Sequence, residues 1–366
     1  MTTDKLLGIA LIGCGGIALA NHIPGVLATN TTKIVALCDS NDDALQRASV
    51  QTGITNTSTN YADVLMRDDV DAVIIATPNF LHTSIALAAI KAGKHVMCEK
   101  PIAMSAADAV SMAQAADAAG VRHMTAFTYR FVPAMRYITH LVQGGFLGTP
   151  FHFRAQRLQD WGTRAIGWRQ VKKLAGSGEL GDMLSHRIDF GHLLMGDLSR
   201  IVSHARRWLD VRDGMPNDLE DWIGIMGEFA NGATAMWESS KHVTARGSGG
   251  HSPDVCEVNG SDGTLVYQLG RPLEVQLGRK GDSALQSVPV PQEFLKHPAS
   301  PRDISEGDPL KTFRYDQDAE FVDAILNQRS CSPSFWDGAR TQIVIDAALE
   351  SADERAWVPI EYGVAR

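Results

Sequence analysis

The sequence predicts a two-domain α/β protein: a doubly wound parallel sheet first, then an α/β domain with a mostly antiparallel, open sheet. Three observations predict it. Up to about residue 125, short apolar runs alternate with helical patterns, and βα units joined by short connections build parallel sheets. The run "DAVIIAT" is apolar throughout, as a strand buried on both faces requires. Beyond Arg130 the runs alternate apolar and polar residues, the pattern of a sheet covered on one face. At 366 residues the chain has length for two domains with sizeable cores.

In order, "LLGIALIG" is a strand and Ile17–Ala28 a short helix interrupted near Pro24. "KIVALCD" is the second strand, followed by a polar-faced helix over Asp42–Thr52. "DAVIIAT" is the third, and "HTSIALAAIKAG" is a helix stopped at Gly93. "KHVMCEKP" is the fourth, broken by Pro101; Ser105 caps an Ala-rich helix running to Gly120, and "RHMTAFTYR" is a further strand. The boundary is expected near residues 125–130, giving domains of 1–127 and 128–366. In the second domain, "PAMRYITHLVQGG" is a helix, "PFHFRAQRL" a half-buried strand, and Leu180–Met195 another helix. Strands follow in "IVSHARRWL", "WIGIMGEF", "ATAMWESS", "DVCEVNGS" and "GTLVYQL". Ser287–Pro309 reads as a long loop. Two helices, "DQDAEFVDAILNQ" and "FWDGARTQIVIDAALESADE", close the chain and are free to pack back on the first domain.

Net charge is −8, so no basic surface for nucleic acid is expected. No apolar run reaches the ~18 residues of a membrane span. Cys14, Cys38, Cys98, Cys256 and Cys331 form no C-x-x-C pair, which fits reduced thiols in a cytoplasmic protein and no structural metal.

"LIGCGGIALA" has two readings. Lys5 before an apolar run ending at Cys14 looks like a lipoprotein processing site, but Asp4 spoils the basic leader and cleavage would delete the first strand. In the other reading, Gly13 makes a tight turn, Gly15 lets amides approach a pyrophosphate, and Ala18 allows close packing of helix on strand. That Rossmann reading demands an acid about 20 residues on, and Asp39 ends "KIVALCD" there. Its carboxylate accepts from ribose hydroxyls and repels a 2′-phosphate, favouring NAD over NADP.

Lys100 ends the fourth strand, at the edge where ligands bind in such sheets; its neighbour Glu99 is a candidate to hold the ammonium or to support it. In "GELGDMLSHRIDFGHLLMG", Leu180, Leu184, Ile188, Gly191 and Met195 share one helical face, with Asp182, His186 and Asp189 roughly opposite. Asp182, four residues before His186, would stand beside it and support its protonated form. The same face also reads as a solvated surface, or as a metal set completed by His192; no metal is expected. Trp161, Arg164, Trp168 and Arg169 precede this helix; the tryptophans either stack on a sugar ring or fill the core. Trp237 and His242 are weaker candidates.

Over nearly its whole length the chain resembles the glucose–fructose oxidoreductase / inositol dehydrogenase (Gfo/Idh/MocA) family. The resemblance is carried by "GCGGIA", "ALCDSN", "ATPNFLH", "AGKHVMCEKPIA", "YRFVP", "GFLGTPFHF", "GDMLSHRID" and "VNGSDGTLV", in family order. It implies NAD held by the turn Gly13, Gly15, Gly16 and Ile17, by Asp39, by the loop Thr77, Pro78, Asn79 and His82, and by Glu99 and Lys100. It implies oxidation of a secondary alcohol on a sugar or cyclitol, or the reverse, with Lys100, Asp182 and His186 as the catalytic group. Tyr129 and Arg130 match an aromatic–basic pair beside the substrate. The exposed sheet face implies a homo-oligomer, a dimer or a tetramer. Leu184 stands where the family often has glycine and Thr128 where asparagine is common, so no particular substrate carries over. In the implied mechanism His186 accepts the hydroxyl proton as hydride leaves, Lys100 hydrogen-bonds the developing alkoxide, and Asp182 positions substrate or imidazole. Relatives of the fold also include NAD-dependent glycosidases, which release aglycone without net NADH, and nucleotide-sensing regulators, which dispense with the lysine and histidine.

Overall fold

A computed structural model describes residues 6–246 and 254–365, so Asp4 and Lys5, used in the leader reading, lie outside the described residues. The chain forms two compact units. The first takes residues up to Thr128 and again Lys296–Ala339; the second takes Tyr129–Leu295 and the chain from Arg340 onward.

The first unit is built on six parallel strands: β1 (Leu7–Ile12), β2 (Thr32–Cys38), β3 (Thr57–Ser58), β4 (Ala72–Ile75), β5 (His95–Cys98) and β6 (His123–Thr125). Their order is β3-β2-β1-β4-β5-β6, so the direction of winding reverses beside β1, where such sheets bind ligands. β1 and β4 are buried at every position, which explains their unbroken apolar runs. The helices are α1 (Ile23–Ala28), α2 (Asp42–Thr52), α3 (Tyr61–Leu65), α4 (His82–Lys91) and α5 (Ala106–Ala119). Asn41 caps α2, its side chain accepting from the Ala44 amide at 2.9 Å, and Ser105 caps α5, accepting from the Asp108 amide at 3.2 Å.

A helix covers the expected Ile17–Ala28, but its regular α part is shorter: a π turn takes Ala18–His22 and α1 resumes at Ile23 without a break in the helical backbone. Pro24, with no amide to donate back, interrupts the α-helical bonding there, as its place in the sequence indicates. "RHMTAFTYR" is likewise shorter than expected: β6 ends at Thr125 and a 3₁₀ turn follows over Thr128–Phe131.

The second unit holds α6 (Pro133–Gln143), α7 (Lys172–Ala175), α8 (Ser185–Met195) and one nine-stranded sheet. Its strands are β7 (Pro150–Leu158), β8 (Leu198–Arg206), β11 (Trp222–Phe229), β12 (Thr234–Ser240), β13 (Asp254–Gly260), β14 (Gly263–Gln268), β15 (Glu274–Arg279), β16 (Gln286–Pro289) and β17 (Val358–Pro359). A separate ribbon pairs β9 (Val211–Arg212) with β10 (Met215–Pro216). The order is β16-β15-β14-β13-β7-β12-β11-β8-β17, antiparallel except for β7 with β12. Ile223, Ile225, Phe229, Ala235 and Trp237 are buried on one face. α8 lies there, and Gly191 makes the approach possible: a Cβ on it would stand 2.8 Å from the Trp237 ring. Each large apolar side chain buried this way contributes ~1.5–3 kcal/mol.

β16 and a 3₁₀ turn at Gln292–Phe294 occupy part of what the sequence presents as a loop over Ser287–Pro309. β16 is an edge strand ending in Pro289, a position where the missing amide costs little. α9 (Pro309–Thr312) and α10 (Tyr315–Leu326) belong to the first unit, and α11 (Phe335–Glu354) begins there. Among the described residues no helix is long and apolar enough to cross a membrane.

Candidate active site

In the first unit, Gly13 has φ +98°, and a Cβ there would meet the Ala76 carbonyl carbon and oxygen at 2.5 Å. Only glycine fits. Its amide donates to Cys38 O at 2.8 Å, tying the turn to β2. Gly15 and Gly16 are exposed, and a Cβ on either would meet nothing within 4 Å. That bare space beside backbone amides suits a pyrophosphate. Ile17 is half-buried and Ala18 fully buried. Asp39 is half-exposed at the end of β2. Its carboxylate accepts from the Cys14 amide at 2.8 Å and the Asn41 amide at 2.9 Å. The acid thus shapes the glycine turn and still presents lone pairs outward, so the residues present fit a dinucleotide.

The loop at Thr77, Pro78 and Asn79 follows β4, and Lys100 follows β5. His82 joins the two segments. Fully buried, it has Nδ1 2.9 Å from Pro101 O and Nε2 3.0 Å from Thr77 O. Burial lowers its pKa against the pull of those carbonyls. Glu99 accepts the Lys100 amide at 3.1 Å on Oε2, while Oε1 lies 3.1 Å from His22 Nε2. His22 Nδ1 lies 2.9 Å from Asp318 Oδ1 on α10. Burial opposes charge on His22, but Asp318 and Glu99 overcome it and raise its pKa to about 10. Burial pushes Asp318 up to about 6 despite His22. Between those values the pair is an ion pair, and Glu99, lowered by His22 and Lys100 against the effect of its burial, is a carboxylate. Sequence reading gave no role to His22 or Asp318, which lie far apart along the chain.

In the second unit, a π turn over Leu180–Leu184 leads into α8. The Asp182 carboxylate lies 3.7 Å from the Arg169 guanidinium and 3.5 Å from Lys241 Nζ. His186 is buried, with Tyr129 edge-on at 4.6 Å between centroids. Asp189 is buried too and closes a fork with Arg130, whose Nε stands 2.7 Å from Oδ2. The solvated-face reading of this helix therefore fails: ten of its eleven residues are buried. The four members of the alternative metal set face different partners, with His192 Nε2 2.8 Å from the Tyr362 hydroxyl.

Trp161 and Trp168 are both half-exposed, so neither is spent filling the core. Arg169 lies over the Trp168 ring at 4.3 Å, and Arg164 is 5.9 Å from the Trp161 centroid. Trp237 is fully buried and donates Nε1–H to Arg187 O at 2.9 Å, a core role. His242 packs against Trp208, its Nε2 3.5 Å from Asp221. The group that sequence reading passed over here is Lys241, which "SSKHV" presents as an ordinary strand end.

Two family models match: "Oxidoreductase family, NAD-binding Rossmann fold" over residues 7–127 and "GFO/IDH/MocA C-terminal domain" over residues 135–266. The chain is 30% identical to levoglucosan dehydrogenase of Pseudarthrobacter phenanthrenivorans, covering 97% of this chain and 98% of that protein. It is 28% identical to D-apiose dehydrogenase of Paraburkholderia graminis, covering 98% and 91%. A levoglucosan dehydrogenase structure in complex with NADH and levoglucosan superposes with a TM-score of 0.88 at 29% identity, covering 97% of this chain and all of that one.

Proposed function

Since the chain belongs to the Gfo/Idh/MocA family of oxidoreductases, with its NAD-binding Rossmann domain, we propose that it oxidises a secondary alcohol of a sugar or cyclitol, or runs the reverse reduction. The carrying observation is in the first unit: half-exposed Lys100 closely follows β5, on the same sheet whose β1 turn leaves bare space at Gly15 and Gly16. Asp39 would take the ribose hydroxyls and repel a 2′-phosphate, making NAD rather than NADP the partner. Bound dinucleotide supplies the hydride acceptor or donor. The chain supplies the rest. Lys100 would hydrogen-bond the developing alkoxide, the His186 imidazole would accept the hydroxyl proton, and Asp182 would orient the sugar. Trp161 and Trp168 offer flat faces for ring C–H groups, with Arg164 and Arg169 beside them. Tyr129 would back His186, and Arg130 would steady α8 through Asp189. Thr77, Pro78 and Asn79 would border the nicotinamide end, with buried His82 bracing them through the Thr77 carbonyl.

The reading extends to a cytoplasmic homo-oligomer. Five buried thiols without a disulfide among the described residues fit a reducing compartment. The sheet face away from α8 exposes Met226 and Met236 beside Val202 and Gly224, an apolar patch suited to a second copy.

Purified protein with NAD⁺ and a panel of sugars, anhydrosugars and inositols should give NADH absorbance with at least one. Lys100→Ala and His186→Ala should each lower turnover by ~10²-fold or more while NAD still binds. Turnover near that of the unmodified protein in both would remove the assignment.

A further inference from the structure

Lys241 immediately follows β12 and is fully buried. Its ammonium is shared by two carboxylates, touching Glu179 Oε1 and lying 3.5 Å from Asp182 Oδ2. It also sits 5.2 Å from the centre of the Trp161 ring. Its carbonyl accepts the Trp161 amide at 3.0 Å and the Gly162 amide at 2.9 Å. One residue thus meets both an acid and an aromatic assigned above to the substrate. Because it is covered, it acts through them rather than on the sugar.

The two carboxylates are not equivalent. Glu179 is fully buried and accepts from the Ser239 hydroxyl at 2.5 Å. Asp182 keeps 13% side-chain exposure, and half-exposed Arg169 lies 3.7 Å away on its other oxygen. Without the ammonium, two carboxylates would share a covered site, and the one with an exit would swing toward Arg169. Burial works against the Lys241 charge, but Glu179 and Asp182 prevail and raise its pKa, so it is an ammonium at neutral pH.

We propose that Lys241 is a positioning residue, holding Asp182 inward for the alcohol substrate and backing the Trp161 loop. This rests on the role assigned to Asp182 above. Lys241→Met alone leaves Glu179 uncompensated, so the comparison is made in a Glu179→Gln background, where the Ser239 contact survives. Against Glu179→Gln, adding Lys241→Met should lower kcat/KM for the sugar by ~10–100-fold, the scale of a small misplacement of a reacting group. NAD affinity, a property of the first unit, should not change. The informative readout is coupling: once Asp182→Asn is present, Lys241→Met should cause no further loss, whereas a merely structural lysine would multiply the damage. Unchanged kcat/KM on losing Lys241, or losses that multiply, would overturn the proposal alone. Full activity in Asp182→Asn would sink the role of Asp182 and this proposal with it.

Discussion

His22 carries charge at a position shut off from water. The imidazolium spans Asp318 and Glu99, and Glu99 in turn holds the backbone of Lys100. Its folded pKa is about 10 against an ordinary 6.5, so across that window the native state keeps a proton the unfolded chain has lost. The stabilisation is complete below 6.5 and drains away as pH rises toward 10. Urea unfolding at a series of pH values should show stability falling through this range, and His22→Gln should flatten the fall. An equally steep fall in the variant would assign the pH dependence elsewhere.

At the level of elements, ends are where single residues decide. Ser105 answers an open amide at the start of α5, so Ser105→Ala should cost ~1 kcal/mol, measured as a lower urea midpoint with unchanged slope. Most first-unit elements could be read from the sequence because their signals are local: continuous apolar runs marked the buried strands, and α2 occupies Asp42–Thr52 as the pattern predicts. β3 is only two residues long, too short to show any period. β15 and β16 lie toward one edge of the sheet, where burial imposes little alternation. The two π turns were invisible because their departure from an α-helix lies in hydrogen bonding, not composition. The glycine turn and Asp39 stood out by spacing. His22 with Asp318, and Lys241 with Glu179, did not, because burial and long-range pairing give those residues their character, and neither leaves a mark on adjacent letters.

On the scale of the whole molecule, the chain visits its first unit twice. The returning segment brings Asp318 to His22, the Ser334 carbonyl to the Thr125 hydroxyl at 2.9 Å, and the Phe335 amide to His123 Nδ1 at 3.0 Å. A fragment ending at Thr128 lacks all three and should show no cooperative urea transition; a sharp one would show that the return is dispensable. The proposed assembly into a homo-oligomer belongs to this scale as well. Met226→Lys with Met236→Lys should reduce the light-scattering mass to that of one 39.6 kDa chain, and an unaltered oligomer would move the contact elsewhere. The double visit also bears on synthesis. The nascent first segment must wait for the whole stretch from Tyr129 to Leu295 to be translated before its missing part emerges. At ~5–20 residues per second that pause lasts roughly ten to thirty seconds, during which the ribosome carries a nucleotide-binding unit still short of its returning helices, which chaperones have time to grip.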